Sequence, residues 1–282
     1  MPLTIDTTRA QNVADATLSI ASGLFPRSSP AYIRRIFEEV ETLFSGGYLD
    51  YQANDLKYHD FQHTLQVTMA YVDMMAARQP AIAAPLTFRQ FELGLTGALF
   101  HDSGYLKLRS DQDGSGAKYT YCHVLRGCSL ASSYLPSLGL DQDEIEEVVG
   151  IIRNTGPSTT GMRHRFNSKH EQVLACAVAA ADYLGQMAAA DYPDELELLF
   201  NEFSESDDYA HVPLDCRAFQ TASALIASTP TFWRQVVRPK LEKDFLGLHR
   251  FLDTPDGANP YTDAIERNML IIAQRNASPA RR

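Results

Sequence analysis

The sequence predicts a single all-α domain. Three observations carry that expectation. Apolar residues recur at three- and four-residue spacing along nearly the whole chain. Strand signals are nearly absent: no Asn-Gly or Asp-Gly step sits between alternating apolar runs, and Asp113-Gly114 falls in a polar stretch. No linker-like segment divides the 282 residues. A chain of this length buries an apolar core without needing disulfides.

The elements follow in order. Pro30 opens a helix with apolar residues at 33, 36, 40 and 43–44, closed by Gly46-Gly47. Asp50 to Lys57 reads as a turn. Asp60 is an N-cap candidate for an amphipathic helix running to about Gln79, with Pro80 beyond it. Thr87 caps the next, which becomes wholly apolar toward Phe100. Residues 103–117 are rich in glycine and turn formers and read as a loop. Further helices are expected at about 118–138, 142–154, 168–190, 194–205, 214–228, 230–244 and 260–276. These divide into N-terminal helices (1–54), a core (55–190) and C-terminal helices packed on it (191–282).

Charge narrows the function classes. Lys+Arg is 25 and Asp+Glu is 35, a formal net charge of −10. Such a body repels phosphate backbones, so a nucleic-acid polymer is not an expected partner. No apolar run reaches the length of a membrane span, and the first residues lack the basic-then-apolar order of a secretory signal. With Cys122, Cys128, Cys176 and Cys216 forming no C-x-x-C pair, the expectation is buried free thiols in a reducing cytoplasm.

Three places carry chemistry. In Tyr58-His59-Asp60-Phe61-Gln62-His63, a cap at Asp60 puts His63 in the first helical turn, one turn from His59, so both imidazoles can face one cavity. Either one alone also fits a polar helix start. Leu93 to Phe100 carries no charge, and His101-Asp102 then arrive together before Ser103-Gly104. That places two ligands at the end of a dry wall, or marks ordinary helix-end chemistry. Leu174 to Met187 holds one charged residue in fourteen, Asp182. A carboxylate buried there demands a cation or strong donors; the alternative is an Asp facing solvent.

The order His63, His101-Asp102, Asp182 resembles the H…HD…D pattern of the HD-domain metal-dependent phosphohydrolases, over about residues 55–190. YHDFQHTLQV is also similar to the Tyr-His-Asn-x-x-His signature of class I cyclic-nucleotide phosphodiesterases, with Asp60 in place of their Asn. The resemblance implies a helical domain of the HD/phosphodiesterase-like type. It implies that His63, His101, Asp102 and Asp182 ligate a divalent transition metal (Mn, Fe, Zn, Ni or Co), with Asp102 able to bridge two ions. It makes His59 the acid that protonates the leaving oxygen, so that His59 and Asp102 are the catalytic residues.

His123 resembles a second-ion histidine of two-metal HD proteins. The later helix that adds another histidine there reads Ile151-Ile152-Arg153-Asn154-Thr155 here, so a second ion would rest on Asp102 and water. Mg is a candidate for that place. His123, Arg153, Asn154 and Lys107 are candidates for the second ion or the phosphate; Arg109, Arg163, Arg165 and Lys169 add basic residues nearby. His164, His170, His211 and His249 have no ligand-like pairing.

Two imidazoles and two carboxylates suit such metals better than calcium. The expected function is metal-dependent hydrolysis of a small phosphorylated substrate, a phosphodiester or nucleotide, by a metal-bound hydroxide. The competing class is a non-catalytic metal-binding HD module in signalling or scaffolding; a di-iron oxygenase is a weaker third. Residues 191–282 carry no readable motif, and Tyr192, Phe200 and Phe203 are aromatic candidates for a base platform, with core packing the alternative. The sequence sets no oligomeric state.

Overall fold

The computed structural model describes residues 5–156 and 166–277. Among them are ten α-helices and no strand: α1 (Ala10–Leu24), α2 (Ala31–Phe44), α3 (Phe61–Arg78), α4 (Phe88–Phe100), α5 (His123–Tyr134), α6 (Gln142–Arg153), α7 (Lys169–Ala188), α8 (Tyr192–Tyr209), α9 (Ala222–Phe232) and α10 (Pro260–Ala277). The all-α single domain expected from the sequence is what forms. No single helix among the described residues is long and apolar enough to cross a membrane.

Helix starts are set by side-chain acceptors. Asp60 accepts from the His63 N–H at 2.9 Å, and Thr87 with Gln90 closes a capping box, as does Asp141 with Glu144. α3, α4 and α7 form the centre of the bundle, with α6 and α10 packed beside α7. Small residues let these helices approach. A Cβ at Gly185 of α7 would lie 2.7 Å from the Gln66 carbonyl group of α3, and one at Gly97 of α4 would lie 2.4 Å from an Ile151 methyl of α6. Only glycine fits at either crossing.

Several boundaries move from the sequence reading. The stretch 118–138 is a full helix only over α5, flanked by 3₁₀ turns at Gly116–Tyr119 and Leu135–Leu138. The stretch 214–228 starts later, at Ala222, because Thr221 supplies the cap by accepting from the Ala224 N–H at 3.2 Å. That helix continues through Pro230, and the chain then widens into π turns at Trp233–Val237 and Lys240–Asp244 on either side of Pro239. α1 had no bounds in the sequence reading. It buries Ala10, Val13, Ala14, Thr17, Leu18 and Ala21, a regular stripe built largely from small residues. The cysteines are all free, but only Cys128 and Cys176 are buried. Cys122 and Cys216 are exposed, correcting the expectation for those two, because they sit in surface turns ahead of α5 and α9.

Candidate metal centre

Three helices converge on one point. α3 presents His63 from its first turn. α4 ends at Phe100, so His101 caps it, and Asp102 follows with the backbone already turning away (φ −101°, ψ 6°). α7 presents Asp182 from its middle.

His63 Nε2 lies 3.3 Å from His101 Nε2, 3.2 Å from Asp102 Oδ2 and 3.3 Å from Asp182 Oδ1. His101 Nε2 lies 3.2 Å from Asp102 Oδ2 and 3.6 Å from Asp182 Oδ1. Ligands held at about 2.1 Å by one ion stand about 3.0–3.4 Å from one another at octahedral or tetrahedral angles. His63, His101 and Asp102 form a buried group able to hold an ion, with spacings of that size, and the Asp182 carboxylate stands 3.3 and 3.6 Å from the two imidazoles.

The surroundings fit a cation. His101 donates its Nδ1 hydrogen to the Ala98 carbonyl at 2.8 Å, which leaves a lone pair on Nε2 facing the cluster. Asp102 Oδ2 is buried without a hydrogen-bond partner, although two imidazole nitrogens approach it at 3.2 Å. Burial alone would push the His63 pKa down, yet the Asp102 and Asp182 carboxylates raise it to about 10. Burial likewise opposes ionisation of Asp102, and the His101 and His63 rings hold it well below the usual carboxylate range. The cluster thus demands positive charge at its centre. Asp182 is less enclosed than its helix suggested: its side chain keeps 25% of its surface open while the other three are 1–5% open.

A second group of side chains borders the first. His123 Nε2 stands 3.6 Å from the other Asp102 oxygen, Oδ1, so Asp102 faces His63 and His101 with one oxygen and His123 with the other. His123 donates Nδ1–H to the Thr120 carbonyl at 2.7 Å, and burial lowers its pKa. The start of α5 reaches this place because residue 104 is glycine, where a Cβ would meet the His123 carbonyl at 1.8 Å. Arg126 locks the contact by donating to the Gly104 and Leu106 carbonyls at 2.8 and 2.7 Å.

His59 stands just before the α3 cap, its ring centroid 5.7 Å from that of His63. Its Nδ1 is 2.6 Å from Glu202 Oε2, and Glu202 Oε1 also accepts from the Lys57 and Tyr58 N–H groups at 2.9 and 2.7 Å. Burial works against the Glu202 carboxylate, but these bonds hold its pKa below the ordinary value. Sequence reasoning missed Glu202. It is one of seven acidic residues on α8, with nothing in spacing to single it out. Asp60, adjacent to His59, turns the other way to cap α3.

The remaining candidates are engaged elsewhere. Lys107 is 6% exposed, with its ammonium 3.2 Å from Asp55 Oδ2 and bonded to the Gly114 carbonyl. Asn154 donates to the Ala175 carbonyl at 3.0 Å. Arg153 is exposed and lines a groove of about 360 Å³ with Val149, Phe166 and Glu171. Arg109 donates to the Gly46 carbonyl at 2.8 Å. Tyr192 is buried in the core, and Phe200 and Phe203 pack against it. Arg163, His164 and Arg165 lie outside the described residues.

No protein-family model matches the chain, and no curated protein matches it. Among solved structures it is similar to the phosphodiesterase domain of Salpingoeca rosetta rhodopsin phosphodiesterase. The two share 15% sequence identity at a TM-score of 0.61, over 96% of this chain and 90% of that one. At that identity the likeness establishes the fold: this chain has the all-α architecture of a phosphodiesterase domain.

Proposed function

We propose that this chain is a metal-dependent phosphohydrolase of the HD/class I phosphodiesterase type, acting on a phosphodiester or nucleotide. The observation that carries the reading is the buried group of His63, His101 and Asp102, with Asp182 3.3 and 3.6 Å from the two imidazoles, beside a histidine paired with the Glu202 carboxylate. The phosphodiesterase-like fold supports it.

His63, His101, Asp102 and Asp182 would hold a divalent transition metal, which when bound would supply Lewis acidity to a water and to a phosphoryl oxygen. The chain's own residues do the rest. Asp102 and Asp182 supply the negative charge that retains the ion, and the Ala98 carbonyl keeps the His101 Nε2 lone pair turned to it. Glu202 accepts from His59 Nδ1–H, which fixes the ring's orientation and leaves Nε2 free. His59 Nε2 then carries the proton that passes to the departing oxygen. His123, on the far oxygen of Asp102, is the ligand we assign to a second ion.

The test is turnover by chelator-stripped protein reloaded with Mn, Fe, Zn, Ni or Co in turn. A bis(nitrophenyl) phosphodiester and a 3′,5′-cyclic nucleotide serve as substrates. Hydrolysis that appears on reloading supports the reading. A protein that takes up metal but cleaves neither diester with any of the five ions is the non-catalytic metal-binding module instead.

A further inference from the structure

Between His59 and His123 lies a third ring. Tyr105 is stacked on His123 with centroids 4.4 Å apart and planes 8° apart, and on His59 at 4.8 Å and 22°. The three rings form one pile, Tyr105 in the middle and 2% exposed. Tyr105 reaches this place directly from the cluster: it ends the 3₁₀ turn Ser103–Tyr105, and its N–H donates to the Asp102 carbonyl at 3.1 Å. Thr120, whose carbonyl accepts from His123, borders the same pile.

Each outer imidazole is tied at one nitrogen only. His59 Nδ1 is held by Glu202, and His123 Nδ1 by the Thr120 carbonyl. One hydrogen bond fixes where a ring sits along that axis but does not by itself fix its plane; His59 is also met edge-on by Tyr58 and His63, at 5.0 and 5.7 Å. A flat partner against the ring face holds that plane, and offset-stacked aromatic pairs are favoured by about 0.5–1.5 kcal/mol beyond their buried area. Tyr105 is the face partner for both imidazoles at once, and its backbone bond ties the pile to Asp102.

We infer that Tyr105 is a positioning residue that fixes the His59 and His123 imidazoles relative to Asp102, acting through its ring face. Its consequence for turnover rests on the roles proposed above for those two histidines. The first shell of His63, His101, Asp102 and Asp182 is assembled by α3, α4 and α7, without any stacking contact to Tyr105. Shrinking the ring should therefore loosen the two outer histidines and leave the first ion in place. A 1 Å misplacement of a reacting group costs up to about 100-fold in rate.

The experiment starts with metal-free full-length protein, in which the ring C–H resonances of His59 and His123 are assigned by their loss in His59→Gln and His123→Gln. A stacked aromatic face moves such resonances upfield. Both should be upfield in the wild type and in Tyr105→Phe, and both should return downfield in Tyr105→Leu. With manganese added, Tyr105→Leu should retain its first ion, and kcat on an alkyl diester should fall by about 10–100-fold with KM little changed. Tyr105→Phe should keep the wild-type rate. Tyr105→Met, flexible and of similar bulk, replaces the Leu variant if that fails to fold.

Resonances that stay put on truncation, or that lie at ordinary positions in the wild type, overturn the inference. So does a Phe variant as slow as the Leu variant, since that would assign the effect to the hydroxyl. If both resonances move and kcat does not, the positioning stands and the catalytic reading of His59 falls.

Discussion

At His59 the account separates binding from proton transfer. The ring is adjacent to the His63, His101 and Asp102 group, yet its Nδ1 is committed to Glu202 at 2.6 Å. His59→Ala should therefore keep full metal content while slowing an alkyl or ribose phosphodiester by about 10²–10⁴-fold, the range of a lost general acid. A nitrophenolate leaving group departs without a proton, so an aryl diester should suffer far less. Equal slowing of both substrates with metal intact would make His59 a phosphate-positioning group; loss of metal would make it a ligand. The four residues were legible together because His63 follows a cap at Asp60, His101-Asp102 end an uncharged helix and Asp182 is the one charge in an apolar stretch. Glu202 was not, since an acid on an acidic helix is indistinguishable from a solvated charge until the fold brings it to His59. Tyr105 and Arg126 were hidden for a related reason: their roles depend on which rings and carbonyls meet them, and one chain without its contacts does not contain that.

Elements set the register of the site. His63 and Gln66 lie one turn apart on α3, and Asp182 and Gly185 one turn apart on α7, so the Gly185 crossing fixes how Asp182 meets His63. Ala is the better helix former by about 1 kcal/mol, but at 2.7 Å from backbone atoms its methyl forces the helices apart, at about 1–3 kcal/mol. Gly185→Ala should lower the unfolding free energy by denaturant titration and weaken metal retention together. Unchanged retention would separate that crossing from the site. Further along α3, Asp73 accepts from the Tyr261 hydroxyl of α10 at 2.7 Å, and burial raises its pKa to about 6 against the hydrogen bond's pull. The folded state then holds that proton more tightly than the unfolded chain, so this group's contribution falls as pH rises from about 4 to 6. Asp73→Asn keeps an acceptor for Tyr261 without the charge and should be more stable than the wild type above pH 6, by on the order of 1–3 kcal/mol. A variant less stable there would contradict it. Capped helices such as α3 and α4 could be placed in advance because Asp60 and Thr87 announce them. α1 and the π turns around Pro239 could not: the first is a stripe of small residues, and the second follows from how the chain accommodates a proline once packed.

For the whole molecule, the charge and the site have to be reconciled. A body of net charge −10 repels a phosphate. The basic residues nearest in sequence do not offset this locally, since Lys107 and Arg109 are bonded to backbone carbonyls and Lys118 to Asp111 and the Asp113 carbonyl. On the proposed reading, cations held by Asp102 and Asp182 would supply attraction for an anionic substrate. Whether these side chains form a metal centre is read from elemental analysis of the purified chain beside Asp102→Ala. At least one transition-metal ion per wild-type chain should survive desalting, with near-complete loss in the variant, because Asp102 touches His63 and His101 with one oxygen and faces His123 with the other. Wild-type protein that retains no Mn, Fe, Zn, Ni or Co after loading, or an Asp102→Ala variant that retains the wild-type amount, would contradict it.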